Sequence, residues 1–174
     1  MINSNTFPIL ATKRLSLRQL KTTDGQAIFK IRSNEIVYKY IAKQTFKQLE
    51  EAQEFIAKIN DDIAKERILF WAITLKETHE LVGTICLWNF SNDKLIAEVG
   101  YELLPAYYKK GIMNEALSKV LEFGFGTLNL NSIEAFTHRK NKASKTLLIR
   151  HHFKFDKNRT DKGFPDNIIY ILTK

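Results

Sequence analysis

The sequence predicts one domain of the mixed α/β class, with its elements in the order β-α-α-β-β-β-α-β-α-β-β. Stretches that alternate apolar and polar residues, as strands do, are interleaved with stretches whose apolar residues recur at helical spacing. Three strand-like stretches in the middle of the chain are separated only by short polar turns, which is typical of a meander. The 174 residues include 7 glycines and 3 prolines but no linker-like tract, so a single domain over residues 1–174 is the simplest account.

The first part of the chain predicts one strand and two helices. Residues 14–20 alternate as a half-buried strand does. Residues 22–33 begin with a Thr-Thr-Asp capping sequence and continue with apolar residues at helical spacing. Residues 46–64 predict a longer amphipathic helix. Its apolar residues are Phe46, Leu49, Ala52, Phe55, Ile56, Ile59 and Ile63.

The middle of the chain predicts three consecutive strands. Residues 68–75 and 81–90 are apolar, strand-like runs joined by the polar turn "KETHE". Residues 94–104 form a third run, which ends where Pro105 interrupts it. These three strands are the predicted central meander.

The last part of the chain alternates between helices and strands. Residues 113–125 and 141–152 have helical periodicity, and residues 132–138 between them predict a strand. Two more strands, 153–158 and 167–174, complete the chain.

Composition limits the function classes. Lys and Arg total 27 against 19 Asp and Glu, a formal charge of +8, which favours a polyanionic ligand such as a phosphorylated cofactor, unless the surplus is simply spread over the surface. The single cysteine, Cys86, excludes an internal disulfide and lies in an apolar run, so we expect a small core residue. Residues 1–20 lack the apolar core of a signal peptide, and no apolar run approaches the roughly 20 residues of a membrane span. We therefore expect a cytoplasmic protein.

Residues 105–114 predict a phosphate-binding loop. A strand ends at Pro105, and a helix begins near Gly111, where unpaired N–H groups collect anions. Gly111 has no Cβ to keep a phosphate away, and Lys109 and Lys110 add positive charge. The sequence has neither Gly-x-Gly-x-x-Gly nor the P-loop pattern, so the ligand would be held by another design. The alternative is a surface loop with two solvated lysines.

The stretch "AEVGYELLPAYYKKGIMNEAL", residues 97–117, resembles the acetyl-CoA-binding motif of the GNAT (GCN5-related N-acetyltransferase) family. It is most similar to the RimJ/RimL-type branch, which acetylates the N-termini of ribosomal proteins. The family pattern of Gln or Arg, two variable residues, Gly, one more, and Gly or Ala begins here at Tyr108 and ends at Met113. Both of these ends depart from the pattern, while the glycine at Gly111 and the backbone N–H groups are kept.

The resemblance extends over nearly the whole chain. Residues 11–29 are similar to the family's opening strand and helix, and residues 33–56 to its substrate-side helix pair. "HELVGTICL" resembles its third strand. "NKASKTLLIRHHFKF" resembles its closing Asn-x-x-Ser element, with His152 where the family has glycine.

The resemblance implies a GNAT fold, with a central, mostly antiparallel sheet whose parallel strands 94–104 and 132–138 splay apart. It implies acetyl-CoA as the cofactor, with the pantetheine arm in the gap, paired with the backbone near Glu102, Leu103 and Leu104. The implied contacts of the pyrophosphate are Tyr108, Lys109, Lys110, Gly111, Ile112, Met113 and Asn114. Asn141 and Ser144 are implied to contact the cofactor arm as well.

The same resemblance implies the catalytic residues. Glu98 is the expected base, acting through water, and Ser144 is expected near the sulfur. The tyrosine that many relatives use as the acid is replaced here by Leu148. Alternatives remain open: Glu98 as a surface ion-pair residue, and Ser144 and Asn141 as helix caps. Strand alternation puts Glu98, Gly100 and Glu102 on one face, and which face meets the cleft stays open.

Aromatic residues and histidines complete the candidates. Tyr38 and Tyr40 are expected in the loop between the first two helices, where the family receives its acceptor. Trp71 and Trp88 lie in strands and are predicted core residues. No metal site is expected, because His151 and His152 are adjacent and point about 100° apart on a helix. His138 is taken as structural, with a role as base the alternative.

Three functions remain open. The first is an acetyl-CoA-dependent N-acetyltransferase acting on a protein α-amine by direct attack in a ternary complex. The second changes the acceptor to a small amine such as an aminoglycoside or polyamine, and the third is a non-catalytic basic module that binds RNA or phosphate. We expect no membrane partner, contact with nucleic acid only through the ribosome, and a monomer or homodimer.

Overall fold

A computed structural model describes residues 7–174. Residues 1–6, which begin the stretch predicted to lack a signal peptide, lie outside the described residues. Its strands are β1 (Leu10–Ala11), β2 (Leu15–Arg18), β3 (Leu69–Leu75), β4 (Leu81–Trp88), β5 (Ile96–Leu103), β6 (Ser132–His138), β7 (Lys154–Asp156) and β8 (Asn167–Thr173). Its α-helices are α1 (Gly25–Arg32), α2 (Glu35–Tyr38), α3 (Leu49–Ala64), α4 (Ile112–Gly126) and α5 (Lys142–Arg150).

The eight strands form one sheet in the order β1-β2-β3-β4-β5-β6-β8-β7. The predicted mixed α/β class is confirmed, and β3, β4 and β5 form the predicted antiparallel meander. Two short elements, β1 and α2, were not predicted from local patterns, although α2 lies within residues 33–56, which resemble the family's substrate-side helix pair. A two-residue strand and a four-residue helix are too short to show a periodicity in the sequence.

The predicted splay is confirmed between β5 and β6, the parallel neighbours of the described sheet. Their pairing runs from Ile96↔Ser132 to Glu98↔Glu134 and stops there. Both strands continue further, β5 to Leu103 and β6 to His138, but along different partners. The sheet therefore opens between two strands that separate halfway along β5.

Apolar clusters cover both faces of the sheet. On one face, Val99 and Leu103 of β5 pack in a cluster with α4, and Trp71 at its centre is fully buried against Phe123. On the other face, α1 and α3 pack against Phe70 and Ala72 of β3. Burial of apolar area at about 25 cal/mol per Å² holds both layers to the sheet. The two faces of β5 are thus separated, with Glu98 and Glu102 on the α1 side.

The prediction for Trp71 is confirmed, while the prediction that Trp88 is a core residue is wrong. Trp88 is 42% exposed. It ends β4 opposite Glu98, beyond the part of that face that α1 and α3 cover. Cys86, two residues earlier, packs partly buried against the α1–α3 cluster, and burial raises the pKa of its thiol to about 12.

Among residues 7–174, no helix is long and apolar enough to cross a bilayer.

Candidate active site

The loop before α4 presents free backbone N–H groups. Gly111 caps the helix with φ 74°, in the left-handed region, and Glu115 N donates to Gly111 O as the first bond of the helix. The N–H groups of Ile112, Met113 and Asn114 precede that bond, so they have no acceptor within the helix. This arrangement is suited to binding a phosphate.

Side chains around the loop divide into two sets. Ile112 and Met113 are buried in the core, so these two residues can offer a ligand only their backbone. The methionine at position 113 is larger than the glycine or alanine of the family pattern, and its side chain packs into the core on the side away from the loop. Tyr108, Lys109 and Lys110 are exposed, and the two lysines bring positive charge to the same turn.

Arg14 supports this loop from outside, and sequence reasoning did not find it. Its Nη1 donates to Lys110 O at 2.9 Å, and its Nε donates to Glu115 Oε2 at 2.7 Å. Thr12 donates its hydroxyl to the same carboxylate. No local pattern marks Arg14, because its partners lie about a hundred positions further along the chain.

The main chain along the gap corrects one part of the prediction. Leu104 donates its N–H to Val82 O and accepts from Tyr107 N, so both of its peptide groups are occupied. Because peptide direction alternates along a strand, Glu102 also turns its N–H and C=O toward β4. Leu103 turns its peptide groups toward the gap, as does Tyr101. Of the three residues predicted to pair with the cofactor arm, Leu103 alone keeps that possibility.

A hydroxyl pair lies on the α5 side of the gap. Asn141 caps α5, and its Oδ1 accepts from Ser144 N at 3.1 Å. The Ser144 hydroxyl does not cap the helix but lies 2.8 Å from the hydroxyl of Tyr101. Tyr101 faces away from Glu98, as the strand alternation implies. The missed signal was a tyrosine in an aliphatic row, whose hydroxyl needs a partner when buried. Leu148, in place of the family tyrosine, is fully buried.

Glu98 lies where the gap begins, on the opposite face. Burial raises the pKa of its carboxyl to about 7, with further contributions from Asp161 and Glu134, opposed by a hydrogen bond from Asn89 and the charge of Lys43. The carboxyl therefore changes charge near neutral pH. The exposed Trp88 is its neighbour on β4.

Glu102 belongs to a buried network. Its Oε1 accepts from Arg32 Nη2 at 3.0 Å and from the hydroxyl of Tyr38 at 3.3 Å. Arg32 lies with its guanidinium carbon 3.6 Å from the centroid of the Phe55 ring. Tyr38 is thus in α2 rather than in a loop, is buried, and has its hydroxyl engaged.

Tyr40 and the histidines complete the surroundings. The rings of Tyr40 and His138 lie 5.3 Å apart, at the end of β6. Nε2 of His151 lies 3.1 Å from Asn114 Oδ1. His152 is exposed beyond α5. Within residues 7–174, no group of three or more His, Cys, Asp or Glu side chains is arranged to hold a metal ion.

A sheet that opens between two parallel strands, beside a helix with free N–H groups, fits a transferase that takes its acyl group from a long, phosphate-bearing carrier. The family model of the acetyltransferase (GNAT) domain matches residues 14–154, and the chain belongs to this family. It is an acetyl-CoA-dependent N-acetyltransferase, which removes the hypothesis of a non-catalytic basic module.

Relatives and solved structures agree with this membership. The uncharacterized N-acetyltransferase YoaA of Bacillus subtilis is 36% identical over 147 residues, 84% of this chain and 83% of that protein. The ribosomal-protein-S5-alanine acetyltransferase of Vibrio fischeri has a similar structure, with a TM-score of 0.80, 20% identity and coverage of 95% and 96% of the two chains. The structure of RimL, a ribosomal L7/L12 α-N-protein acetyltransferase solved with coenzyme A, is also similar. Its TM-score is 0.82 at 16% identity, and the match covers 95% of this chain and 98% of that chain.

Proposed function

We propose that this protein transfers an acetyl group from acetyl-CoA to the α-amine of a protein N-terminus, by direct attack in a ternary complex. The observation that carries the proposal is Glu98, whose carboxyl has its pKa raised to about 7 by burial at the point where β5 and β6 separate. A general base is most effective when its pKa lies near the working pH.

The chain's own groups fit coenzyme A. The N–H groups of Ile112, Met113 and Asn114 bind the pyrophosphate, with Lys109 and Lys110 adding charge. The peptide groups of Leu103 bind the pantetheine arm as an added strand would. The amide nitrogen of Asn141, whose Oδ1 is used by the cap, remains for the same arm. Acetyl-CoA supplies the acetyl group as an activated thioester.

On the other face, Glu98 takes the proton that the acceptor amine loses, directly or through one water. Holding the amine in line with the acetyl group contributes roughly 7–11 kcal/mol in favourable cases. Tyr40 is the proposed acceptor contact at the surface. Tyr38, which is buried, does not contact the acceptor itself. Its hydroxyl donates to Glu102 Oε1, which also accepts from Arg32 Nη2, so Tyr38 helps to hold this pair in place.

Two observations bear on the acceptor. The proteins of similar structure that carry ribosomal-protein names support a protein N-terminus. The carboxylate of Asp161, close enough to Glu98 to raise its pKa, favours a cationic acceptor and makes a polyamine the second candidate, whereas the charge of Glu134 is offset by its ion pair with Arg159. Both fit the cytoplasmic location that the sequence suggests.

The test is release of free thiol from acetyl-CoA with four acceptors. These are a peptide with a free N-terminus, the same peptide with a blocked N-terminus, spermidine and an aminoglycoside. The proposal expects release with the free peptide and none with its blocked form. Release with spermidine alone would establish the second candidate, and no release with any acceptor would contradict both.

A further inference from the structure

Tyr101 and Ser144 are joined across the gap. Tyr101 lies on β5, three residues beyond the last pair between β5 and β6, and Ser144 lies in the first turn of α5, which follows β6. Their hydroxyl oxygens are 2.8 Å apart. The bond thus connects the two sides of the sheet where the strands no longer pair.

The direction of this hydrogen bond follows from what each hydroxyl can do. Burial raises the pKa of Tyr101 to about 12, so its phenol keeps its proton at neutral pH. Either hydroxyl of this pair could be the donor, and we assign the phenol as the donor because a buried phenolic hydrogen needs an acceptor and Ser144 Oγ lies 2.8 Å away. The serine hydroxyl can accept that bond and still donate its own hydrogen elsewhere.

The backbone of Ser144 is fixed as well. Its N–H donates to Asn141 Oδ1 at 3.1 Å, and the residue is buried. Two contacts therefore determine where Oγ lies, one through the helix cap and one through Tyr101. With the phenol as the donor, the hydrogen of the Ser144 hydroxyl is available for a group inside the gap.

We propose that Tyr101 is a positioning residue that holds the Ser144 hydroxyl with its hydrogen directed into the gap, toward the sulfur of coenzyme A. This rests on the proposed function. The amine nitrogen forms a bond to the acetyl carbon, the bond between that carbon and the sulfur breaks, and the sulfur keeps the electron pair as a thiolate. Ser144 donates a hydrogen bond to this sulfur. Glu98 takes the proton lost by the amine, and the phenol of Tyr101 keeps its own.

The first test is kinetic. Tyr101→Phe keeps the ring and removes the hydroxyl, so we expect kcat to fall about tenfold with KM for acetyl-CoA nearly unchanged, as for the loss of one positioned hydrogen bond. In Ser144→Ala, kcat should fall by about a hundredfold, the scale of losing one hydrogen-bond donor that stabilises developing negative charge. The double variant should be no slower than Ser144→Ala, because Tyr101 acts only through that serine. Ser144→Thr, which keeps a hydroxyl, should recover activity.

The second test does not depend on turnover. The pKa of the coenzyme A thiol, bound to the protein, is measured from the ultraviolet absorbance of the thiolate. It should lie below that of free coenzyme A and rise by about one pH unit in Tyr101→Phe, which is tenfold in the ionisation constant. Tyr170→Phe, which removes a hydroxyl from the core of the same sheet, should change neither measurement.

Three results would overturn the inference: an unchanged thiol pKa in Tyr101→Phe, independent effects of the two substitutions on kcat, or an equal effect of Tyr170→Phe. The proposed function is judged separately, by thiol release in the unmodified protein. If coenzyme A binds but no acceptor is acetylated, the proposed function fails and the thiol titration still decides the role of Tyr101. If coenzyme A does not bind, both fail.

Discussion

Arg14 and Glu115 form an ion pair, with 2.7 Å between Nε and Oε2, that connects the start of β2 to the first turn of α4. The same guanidinium donates to Lys110 O at 2.9 Å. A planar guanidinium can make both bonds at once because its donors are fixed in one plane. The carbonyl of Lys110 is thus held away from the N–H groups that Gly111 leaves open.

Arg14→Lys keeps the charge but loses the planar set of donors. We expect the Kd for coenzyme A to rise about tenfold, since one charge-assisted hydrogen bond is worth about 1.5 kcal/mol or more. Isothermal titration measures it. Arg67→Lys is the matched control, because Arg67 makes an exposed ion pair with Asp62 at the end of α3 and should have no effect. If Arg14→Lys binds coenzyme A as tightly as the unmodified protein, Arg14 does not stabilise the loop for binding.

Gly111 has a backbone that other residues adopt with difficulty. At φ 74°, an alanine adds about 1–2 kcal/mol of strain, and its Cβ would come within 3.4 Å of Arg14 Nη2. Gly111→Ala should therefore lower the free energy of unfolding by about 1 kcal/mol and weaken coenzyme A binding. The control is Gly126→Ala in the last turn of α4, where a Cβ would meet nothing within 4 Å. An unchanged affinity for coenzyme A in Gly111→Ala would contradict the phosphate-binding role of this loop.

Glu98 should give the reaction its pH dependence. Because burial raises the pKa of its carboxyl to about 7, the fraction able to take a proton increases through neutral pH. We expect kcat/KM to rise with pH to a plateau above about 8, and Glu98→Gln to remove this limb and lower kcat about a hundredfold. The control Glu134→Gln should keep the limb but shift it to lower pH, because one of the charges that raise the pKa is gone. An unchanged profile in Glu98→Gln would exclude it as the base.

The same pKa shift affects stability with a defined sign. The folded-state pKa lies above the ordinary value of 4.5, so folding favours the protonated carboxyl. Its contribution is fully present below about pH 4.5 and is lost as pH rises through about 7. Glu98→Gln should thus have the Tm of the unmodified protein near pH 4 and a higher one at pH 8.

Local patterns predicted the longer helices and strands and the helix N-terminus after Gly111, since each of these arises from neighbouring residues. They failed where a side chain's surroundings come from distant elements. Trp88 looked like a core residue because nothing in its strand says where α3 stops covering the sheet. Arg14 with Glu115 spans 101 positions, and Tyr101 with Ser144 spans 43. Such pairs become visible only once the sheet order is known.

Arg32 and Glu102 form a buried ion pair, with side chains 12% and 11% exposed. Removing one partner leaves an uncompensated buried charge, so Arg32→Met should cost about 3–5 kcal/mol of unfolding free energy. Adding Glu102→Gln should restore most of it, because both charges are then gone. Denaturant unfolding of the single and double variants gives the coupling energy. Additive losses would mean that the two side chains are stabilised independently.

His152 follows α5 with φ 64°, the left-handed backbone that ends many helices. Its N–H donates to Ile149 O at 2.9 Å, and the next residue, Phe153, donates to Leu148 O at 3.0 Å. Phe153 and Leu148 are both buried in the core on the α4 side. These two bonds and one apolar contact define a Schellman motif, whose usual residue at this position is glycine.

His152→Gly should stabilise the protein by up to about 1 kcal/mol. The left-handed conformation costs a residue with a Cβ about 1–2 kcal/mol, and glycine removes this cost. The greater conformational freedom of glycine in the unfolded chain offsets about half of the resulting stabilisation. The measurement is the urea midpoint at constant slope, which reports stability alone. Ala143→Gly, in the right-handed part of the same helix, should instead destabilise by about 0.5–1 kcal/mol. Only a position that requires a left-handed backbone reverses the sign, so destabilisation by both glycines would contradict this geometry at the end of α5.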